Sequence, residues 1–481
     1  MLFQSVNFLY FFAIVYAVAF LLSFAQHRLE SFFPFKIYKV FLLAVSYYFY
    51  GYWDWRFVLI LLVSTIVDYW VGIKIFDERQ QHGNANKFYI GFSLVVNLGI
   101  LGFFKYYNFF IDSANLALQN HGISFPRLTL ILPLGLSFYI FETISYSIDV
   151  YRGKLEPTRD IIDFALYLAF FPHLLAGPIL RATDFLVQLL QPTKLTLQLF
   201  FDGLQIFLYG LFLKVVIADN IAPIIDPIFA DPTSYDSVAA WVAVLGYSTQ
   251  IFCDFFGYSE MAIGLALTLG FVLPTNFKAP YSATDLFEFW RRWHISLSTW
   301  LRDYLYISLG GNQRGGLRTA ANAGVTMLLG GLWHGANWKF VLWGAYHGLG
   351  IMLNRFLVTI FGDRFRCNAL LTFLKWLTTF LFVSLGWVLF RSQDLTIAGQ
   401  LYRKLFFLGN TPNIIWENHS WYQLFFLPFI IIVHLWFQMT QKSSISFRPG
   451  TFKSFFYIIL MVITVFLFSP SDYKGFIYFQ F

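Results

Sequence analysis

The sequence predicts an all-α, polytopic membrane protein, and three observations predict it. Of the 481 residues, 58% are hydrophobic and only 12% charged, about half the charged share of soluble domains. Apolar runs near 20 residues, enough to cross roughly 30 Å of hydrocarbon, recur along the whole chain. No stretch shows the short alternating segments of a membrane β-barrel.

Run length places about twelve spans, near 7–25, 36–52, 57–76, 88–110, 128–149, 197–217, 238–256, 319–335, 337–356, 369–391, 422–440 and 453–470. The first run lacks the positive leader of a secretory signal and is read as a retained span, although "SFAQ" at its end weakly resembles a cleavage site. The net charge of +7 is scattered over short loops, the pattern of topogenic signals rather than of nucleic-acid binding. Arg28, Lys36 and Lys39, then Arg152, Lys154 and Arg159, then Lys442, Arg448 and Lys453 mark cytoplasmic loops. The acidic stretch "DNIAPIIDPIFADPTSYDS" marks an outside loop, and the span parity then places both termini outside. Cys253 and Cys367 suggest neither a disulfide framework nor a zinc site.

Two stretches depart from simple spans. "IIDFALYLAFFPHLLAGPILR" is broken by Pro172, Gly177 and Pro178. Such breaks at membrane depth require protein or water to satisfy the freed backbone, so it is read as a re-entrant hairpin. In residues 285–311, Leu286, Phe289, Trp290, Trp293, Leu297, Trp300 and Leu301 share one helical face, opposite Glu288, Arg291, Arg292, Ser298, Thr299, Arg302 and Asp303. That is the pattern of an amphipathic helix lying in the cytoplasmic interface, with His294 at the edge of the apolar arc. No internal repeat or long linker appears, and the chain reads as one integral domain, 1–481.

Ionisable residues inside membrane segments are functional candidates by default; here these are Asp68, Glu142, Asp149, Asp254, Glu260, His334 and His347. Asp149 and Glu260 fall near span ends and Asp68 lies about two turns from Lys74, so a structural role is the simpler reading for these. His334 differs. Gly330, Gly331 and Gly335 let a substrate or another backbone approach it, Trp333 and Trp338 offer flat walls, and Asn337 offers a polar group at the adjoining turn. With His294 converging on it, a pair of imidazoles suits proton transfer near neutral pH. The nucleophile elbow G-x-S-x-G, the P-loop and H-E-x-x-H are all absent. Direct acyl transfer from a thioester to an alcohol needs only a base, an oriented carbonyl and exclusion of water, and it fits these parts. A transporter or polymer-export channel, or an inactive scaffold recruiting an extracellular partner, are alternatives at this level. Arg291, Arg292 and Arg302 either snorkel to lipid headgroups or attract the phosphates of an acyl donor.

"EFWRRWHISLSTWLRDYLYISLGGN" followed by "GGLWHGANWKFVLWGAYHGL" resembles the signature of membrane-bound O-acyltransferases, in the bacterial alginate and cell-wall polysaccharide O-acetylation branch. "LPLGLSFYIFETISYSIDVYRGK", "FFPHLLAGPILR", "FFGYSEMAIGLAL", "WVLFRSQDLTIA" and "GFIYFQF" extend the resemblance over most of the chain. The resemblance implies a ring of tilted helices around a central tunnel with a cytoplasmic mouth. It implies His334 as the catalytic histidine and His294 as the second active-site position, which different branches fill with His, Asn or Asp. It further implies an acyl thioester donor such as acetyl-CoA, no metal and no bound cofactor, and residence in the bacterial inner membrane. The acceptor would be an extracytoplasmic polysaccharide, reached directly or through an exported acetyltransferase partner, with no role for nucleic acid. D-alanyl transfer to teichoic acid, with an acyl carrier protein as donor, is the alternative within the family. The family's usual "FSGYSDMAIG" reads "FFGYSEMAIG" here, so Phe256 and Glu260 replace Ser and Asp.

Overall fold

The computed structural model describes residues 1–481 except 29–34, 192–193, 314, 363–367, 408–431, 435–446, 449, 471–474 and 478–481. The described residues contain helices and no strands. Six helical stretches are long and apolar enough to cross a membrane: Val6–Arg28, Trp55–His82, Lys87–His121, Leu197–Ala230, Ser237–Thr268 and Ala369–Arg391. Phe35–Gly51, Leu136–Tyr151, Gly316–His334, Trp338–Phe361 and Phe452–Phe468 occupy the positions of five further expected spans. The expected span 422–440 lies outside the described residues apart from 432–434.

Several boundaries move, each for a local reason. The span expected at 128–149 becomes a helix only at Leu136, because Pro133 and Gly135 precede it. Gly135 has φ 72°, and a Cβ there would stand 2.4 Å from the Leu174 carbonyl oxygen. Neither the conformation nor the contact admits a side chain. The stretch read as an acidic outside loop is helix over Asp219–Ala230, continuing through a π turn at Phe212–Ala218. Its charges are occupied internally: Asp219 pairs with Lys214 at 2.8 Å and Asp226 with Arg391 at 2.8 Å. Lys36 and Lys39, counted as topogenic, pair with Asp160 at 3.4 Å and Asp163 at 2.5 Å.

The contacts divide the chain into two compact units. The first comprises 1–207, 261–274 and 447–451, the second 208–260, 275–446 and 452–481. In the first unit, Asp68 accepts hydrogen bonds from Ser93, from Asn97 at 2.6 Å and from Ser147 at 2.6 Å. It thereby ties Trp55–His82 to Lys87–Leu101 and Leu136–Tyr151, and Lys74 plays no part in this. Residues 163–180 are buried throughout and broken as expected, into helices Ile161–Ala169 and Phe171–Leu174 followed by non-helical chain. Glu142 holds the break: it accepts from the Leu180 amide at 2.8 Å and sits 3.3 Å from His173 Nδ1. Ser46 Oγ accepts from the Phe171 amide at 3.1 Å. Side chains from neighbouring helices thus satisfy backbone groups that lipid cannot, and Glu142 has a structural task.

In the second unit, Gly316–His334 and Trp338–Phe361 pack almost backbone to backbone. A Cβ on Gly331 would lie 2.2 Å from the Phe340 carbonyl oxygen, and one on Gly344 2.3 Å from that of Met327. Small residues at helix contacts are the usual means of association in lipid, where no hydrophobic drive separates helix from solvent.

The Asp68 hub yields a stability prediction. Asp68→Leu strands three buried neutral donors, and leaving a buried polar group unsatisfied costs about 1–3 kcal/mol. The melting temperature of the purified protein in detergent should fall by several degrees for Asp68→Leu and by less for Asp68→Asn, which keeps an acceptor. Equal melting temperatures for Asp68→Leu and the unmodified chain would show that the hub carries no stability.

Candidate active site

Residues 285–311 do not form one amphipathic helix. They form Leu286–Arg292, Ile295–Trp300 and a π turn at Leu301–Tyr306, with a break at Trp293 and His294. The apolar face is nonetheless the buried one, with Leu286, Phe289, Trp293, Leu297, Trp300 and Leu301 all buried. At the break His294 adopts left-handed backbone, φ 44° and ψ 57°. For a residue with a side chain this costs about 1–3 kcal/mol and persists only where the surroundings enforce it.

Asn276 is one such enforcement. Its carbonyl accepts from the Ile295 amide at 2.9 Å, and its side-chain oxygen accepts from the Ser296 amide at 3.2 Å and hydroxyl at 3.0 Å. The Lys278 amide donates to the Arg292 carbonyl at 3.0 Å on the other side of the turn. His294 itself is fully buried, edge-on to Phe255 with ring centroids 4.6 Å apart. Burial pushes its imidazole pKa down to about 3, which keeps the ring neutral at physiological pH.

His334 is the last residue of Gly316–His334, where the chain turns through Gly335 into the next helix. It is 6% exposed. Its ring lies 5.1 Å from Trp333, 5.1 Å from Trp343 and 5.2 Å from Phe390, all close to edge-on. The expected walls are therefore corrected in part. Trp333 is one, but Trp338 is 53% exposed and Trp343 takes its place. Helical periodicity carried that signal, since Phe340, Trp343, His347, Ile351 and Arg355 recur at spacings of three and four after Trp338. Asn337 is not a site residue either: its side chain caps the second helix by accepting from the Lys339 amide at 3.0 Å. The glycines serve helix approach, since a Cβ on Gly335 would meet the Phe340 ring at 2.2 Å.

His294 and His334 both contact the Trp333 indole, at 6.0 and 5.1 Å, so no more than one indole separates them. They do not share one cavity wall. A cavity of about 480 Å³ is lined by His334, Trp290, Trp343, Leu301, Arg291, Arg302 and Arg355 among others, and His294 is not among its lining residues. This volume lies within the common range for small-molecule sites, roughly 300–1,000 Å³.

The arginines separate in the same way. Arg292 reaches back to Glu288 at 2.5 Å and to Ser282 at 2.9 Å, away from the cavity. Arg302 lines the cavity but pairs with Asp303 at 2.7 Å. Arg291 and Arg355 line it and form no ion pair among the described residues. Arg355 was absent from the sequence-derived candidates.

The remaining candidates have other surroundings. His347 is enclosed by Trp290, Trp343, Tyr346 and Phe382. Asp254 lies 2.5 Å from Lys214 Nζ. Phe256 packs against Phe252 and Phe277 and does not line the cavity, nor does Glu260. Cys253 is a buried free thiol, and Cys367 lies outside the described residues. Among the described residues no cluster of three metal-ligating side chains occurs.

The profile of the membrane-bound O-acyltransferase family matches residues 158–390, which include both histidines. A probable alginate O-acetylase of Azotobacter vinelandii is 44% identical over 416 residues, 85% of this chain and 79% of the relative. A peptidoglycan O-acetyltransferase of Helicobacter pylori is 38% identical over 387 residues, 75% of this chain and 72% of the relative. A teichoic acid D-alanyltransferase of Bacillus subtilis is 26% identical over 280 residues, 56% of this chain and 71% of the relative. With close identity spread over most of both chains, this protein belongs to the membrane-bound O-acyltransferase family.

Proposed function

We propose that this acyltransferase moves an acetyl group from a cytoplasmic thioester, acetyl-CoA, toward an extracytoplasmic polysaccharide across the bacterial cytoplasmic membrane. The acceptor hydroxyl belongs to the polymer or to an exported acetyltransferase partner. The observation that supports the reading is the cavity, which is lined by His334 and by Arg291 and Arg355, two arginines that form no ion pair among the described residues. The greater identity and coverage of the O-acetylating relatives favours acetyl over D-alanyl.

The chemistry needs few groups. His334 takes the acceptor's hydroxyl proton as its oxygen attacks the thioester carbonyl carbon. The carbon–sulfur bond breaks, and the proton passes from the imidazolium to the departing thiolate. His294, held neutral, backs the Trp333 indole that walls His334 and completes the site as an uncharged imidazole. Arg291 and Arg355 take the donor's phosphates, for which guanidinium forks are suited. Arg355 stands about 18 Å along its helix from Trp343 at 1.5 Å per residue. The extended pantetheine arm of a coenzyme A donor spans a similar length, roughly 18 Å at the reach of an extended chain. Phosphate at Arg355 and thioester at His334 are thereby compatible with one bound molecule.

His334→Ala should lower acetyl transfer by about 10²- to 10⁴-fold, the contribution of a positioned base. The check is label transferred from acetyl-CoA in membrane vesicles, normalised to folded protein by size-exclusion profile. Wild-type transfer by a normally folded variant would remove His334 from the chemistry, and label accepted only from a D-alanyl carrier would redirect the reading to teichoic acid.

The arginines are tested by kinetics. Arg291→Gln with Arg355→Gln should raise the apparent donor KM and flatten its dependence on salt, since exposed charge attraction is screened. Arg292→Gln, whose guanidinium is occupied by Glu288, should leave donor KM unchanged. The opposite ranking would return the donor site to Arg292 and leave Arg291 and Arg355 as lipid-facing charges.

A further inference from the structure

The motif "GFIYFQF" takes no part in the chemistry above, yet its described residues, 475–477, are deeply held. Phe476 is 0% and Ile477 4% exposed. The Ile477 amide donates to Asp254 Oδ2 at 2.8 Å, and Lys214 Nζ donates to the Gly475 carbonyl at 3.5 Å. Lys214 also binds the carboxylates of Asp254 at 2.5 Å and Asp219 at 2.8 Å, and all three side chains are at most 3% exposed. Charges this deeply buried and mutually paired have no water to replace a lost partner, so the segment is fixed in place.

Its aromatic side chain points the consequence toward the site. The Phe476 ring lies 4.7 Å from Tyr258 and 5.5 Å from Phe255. Phe255 in turn meets His294 edge-on at 4.6 Å. Asp254, Phe255, Tyr258 and Ser259 lie within two turns of the Ser237–Thr268 helix. Ser259 Oγ accepts from the Asn276 side-chain amide at 3.3 Å, and Asn276 holds the left-handed turn. One helix therefore reaches His294 by two routes, a polar one through Asn276 and an aromatic one through Phe255.

We propose that the 475–477 segment is part of the active site, with Phe476 as a positioning residue that sets His294 through Phe255 and is itself locked by Asp254 and Lys214. The inference rests on His294 belonging to the acyl-transfer site. Left-handed backbone is uncommon for any residue with a side chain and is held here from outside the turn by Asn276, while the ring is held through Phe255, against which Phe476 packs.

Two measurements on the full-length protein in nanodiscs test this. Phe476→Ala should lower kcat at least tenfold with donor KM unchanged, and Phe476→Leu, which refills most of the volume, should recover most of the loss. Amide hydrogen exchange in Phe476→Ala should rise at 293–298 while staying unchanged in Trp338–Phe361. In the His294→Asn background, Phe476→Ala should add no further loss, because contacting residues acting through one group are not additive. Unchanged exchange at 293–298, or an equal rise in both segments, would overturn the proposal, as would the same fold loss in both backgrounds. If His294→Asn has no measurable turnover, the exchange pattern decides alone. If His294→Asn keeps full turnover, the role given to His294 fails, while the exchange data still judge the coupling.

Discussion

The close approach of Gly316–His334 and Trp338–Phe361 is the constraint on which the site depends. Gly331 and Gly344 admit no side chain without pushing a carbonyl oxygen aside, so the two helices are fixed in register as well as distance. Given that register, His334 ends the first helix directly beside the face of the second that bears Phe340, Trp343 and His347. The same face continues to Ile351 and Arg355, and the cavity follows it. Nothing catalytic is needed to explain the glycines. They place the imidazole by allowing the helices to touch.

Many buried ionisable groups among the described residues have a partner. Lys39 meets Asp163, Lys214 meets two aspartates, Glu142 meets His173, and Asp68 meets hydroxyls and an amide. In an apolar surround an unanswered charge is too costly to keep, so these groups describe architecture. Arg291 and Arg355, by contrast, line a cavity without an ion pair among the described residues. Partial exposure makes that tolerable, and it leaves their donors available to an anionic ligand. Sorting ionisable residues by whether the protein already answers them separates structure from candidate function better than membrane depth does.

The same sorting explains what was legible in the sequence. Run length located the long apolar helices among the described residues, because apolar length is a property of each segment alone. Their ends were less legible: Gly135, Pro133 and the π turn at Phe212–Ala218 act through neighbours that the sequence does not reveal. The Asp219–Ala230 helix read as an outside loop because counting charges cannot show that Lys214 and Arg391 answer two of its aspartates. Both histidines stood out as polar residues in apolar surroundings. The left-handed turn at His294 did not, since no glycine announced it and its support comes from Asn276. Trp343 and Arg355 lie further from His334 and His294 in sequence and reach the cavity only through helical phase, whereas Trp338 and Arg292, nearer the histidines in sequence, do not line it.

An apolar cavity also decides how such a site can use its histidines. Acyl thioesters hydrolyse if water reaches them, and the aromatic wall around His334 limits that access. Burial keeps the His294 ring neutral, and in the proposed reaction His334 accepts the proton at the moment of attack. In that reaction the proton taken up at His334 then passes to the departing thiolate. Trp333, Trp343 and Phe390 provide a rigid wall around His334, and Arg355 stands about a pantetheine arm's length from Trp343 along the same helix.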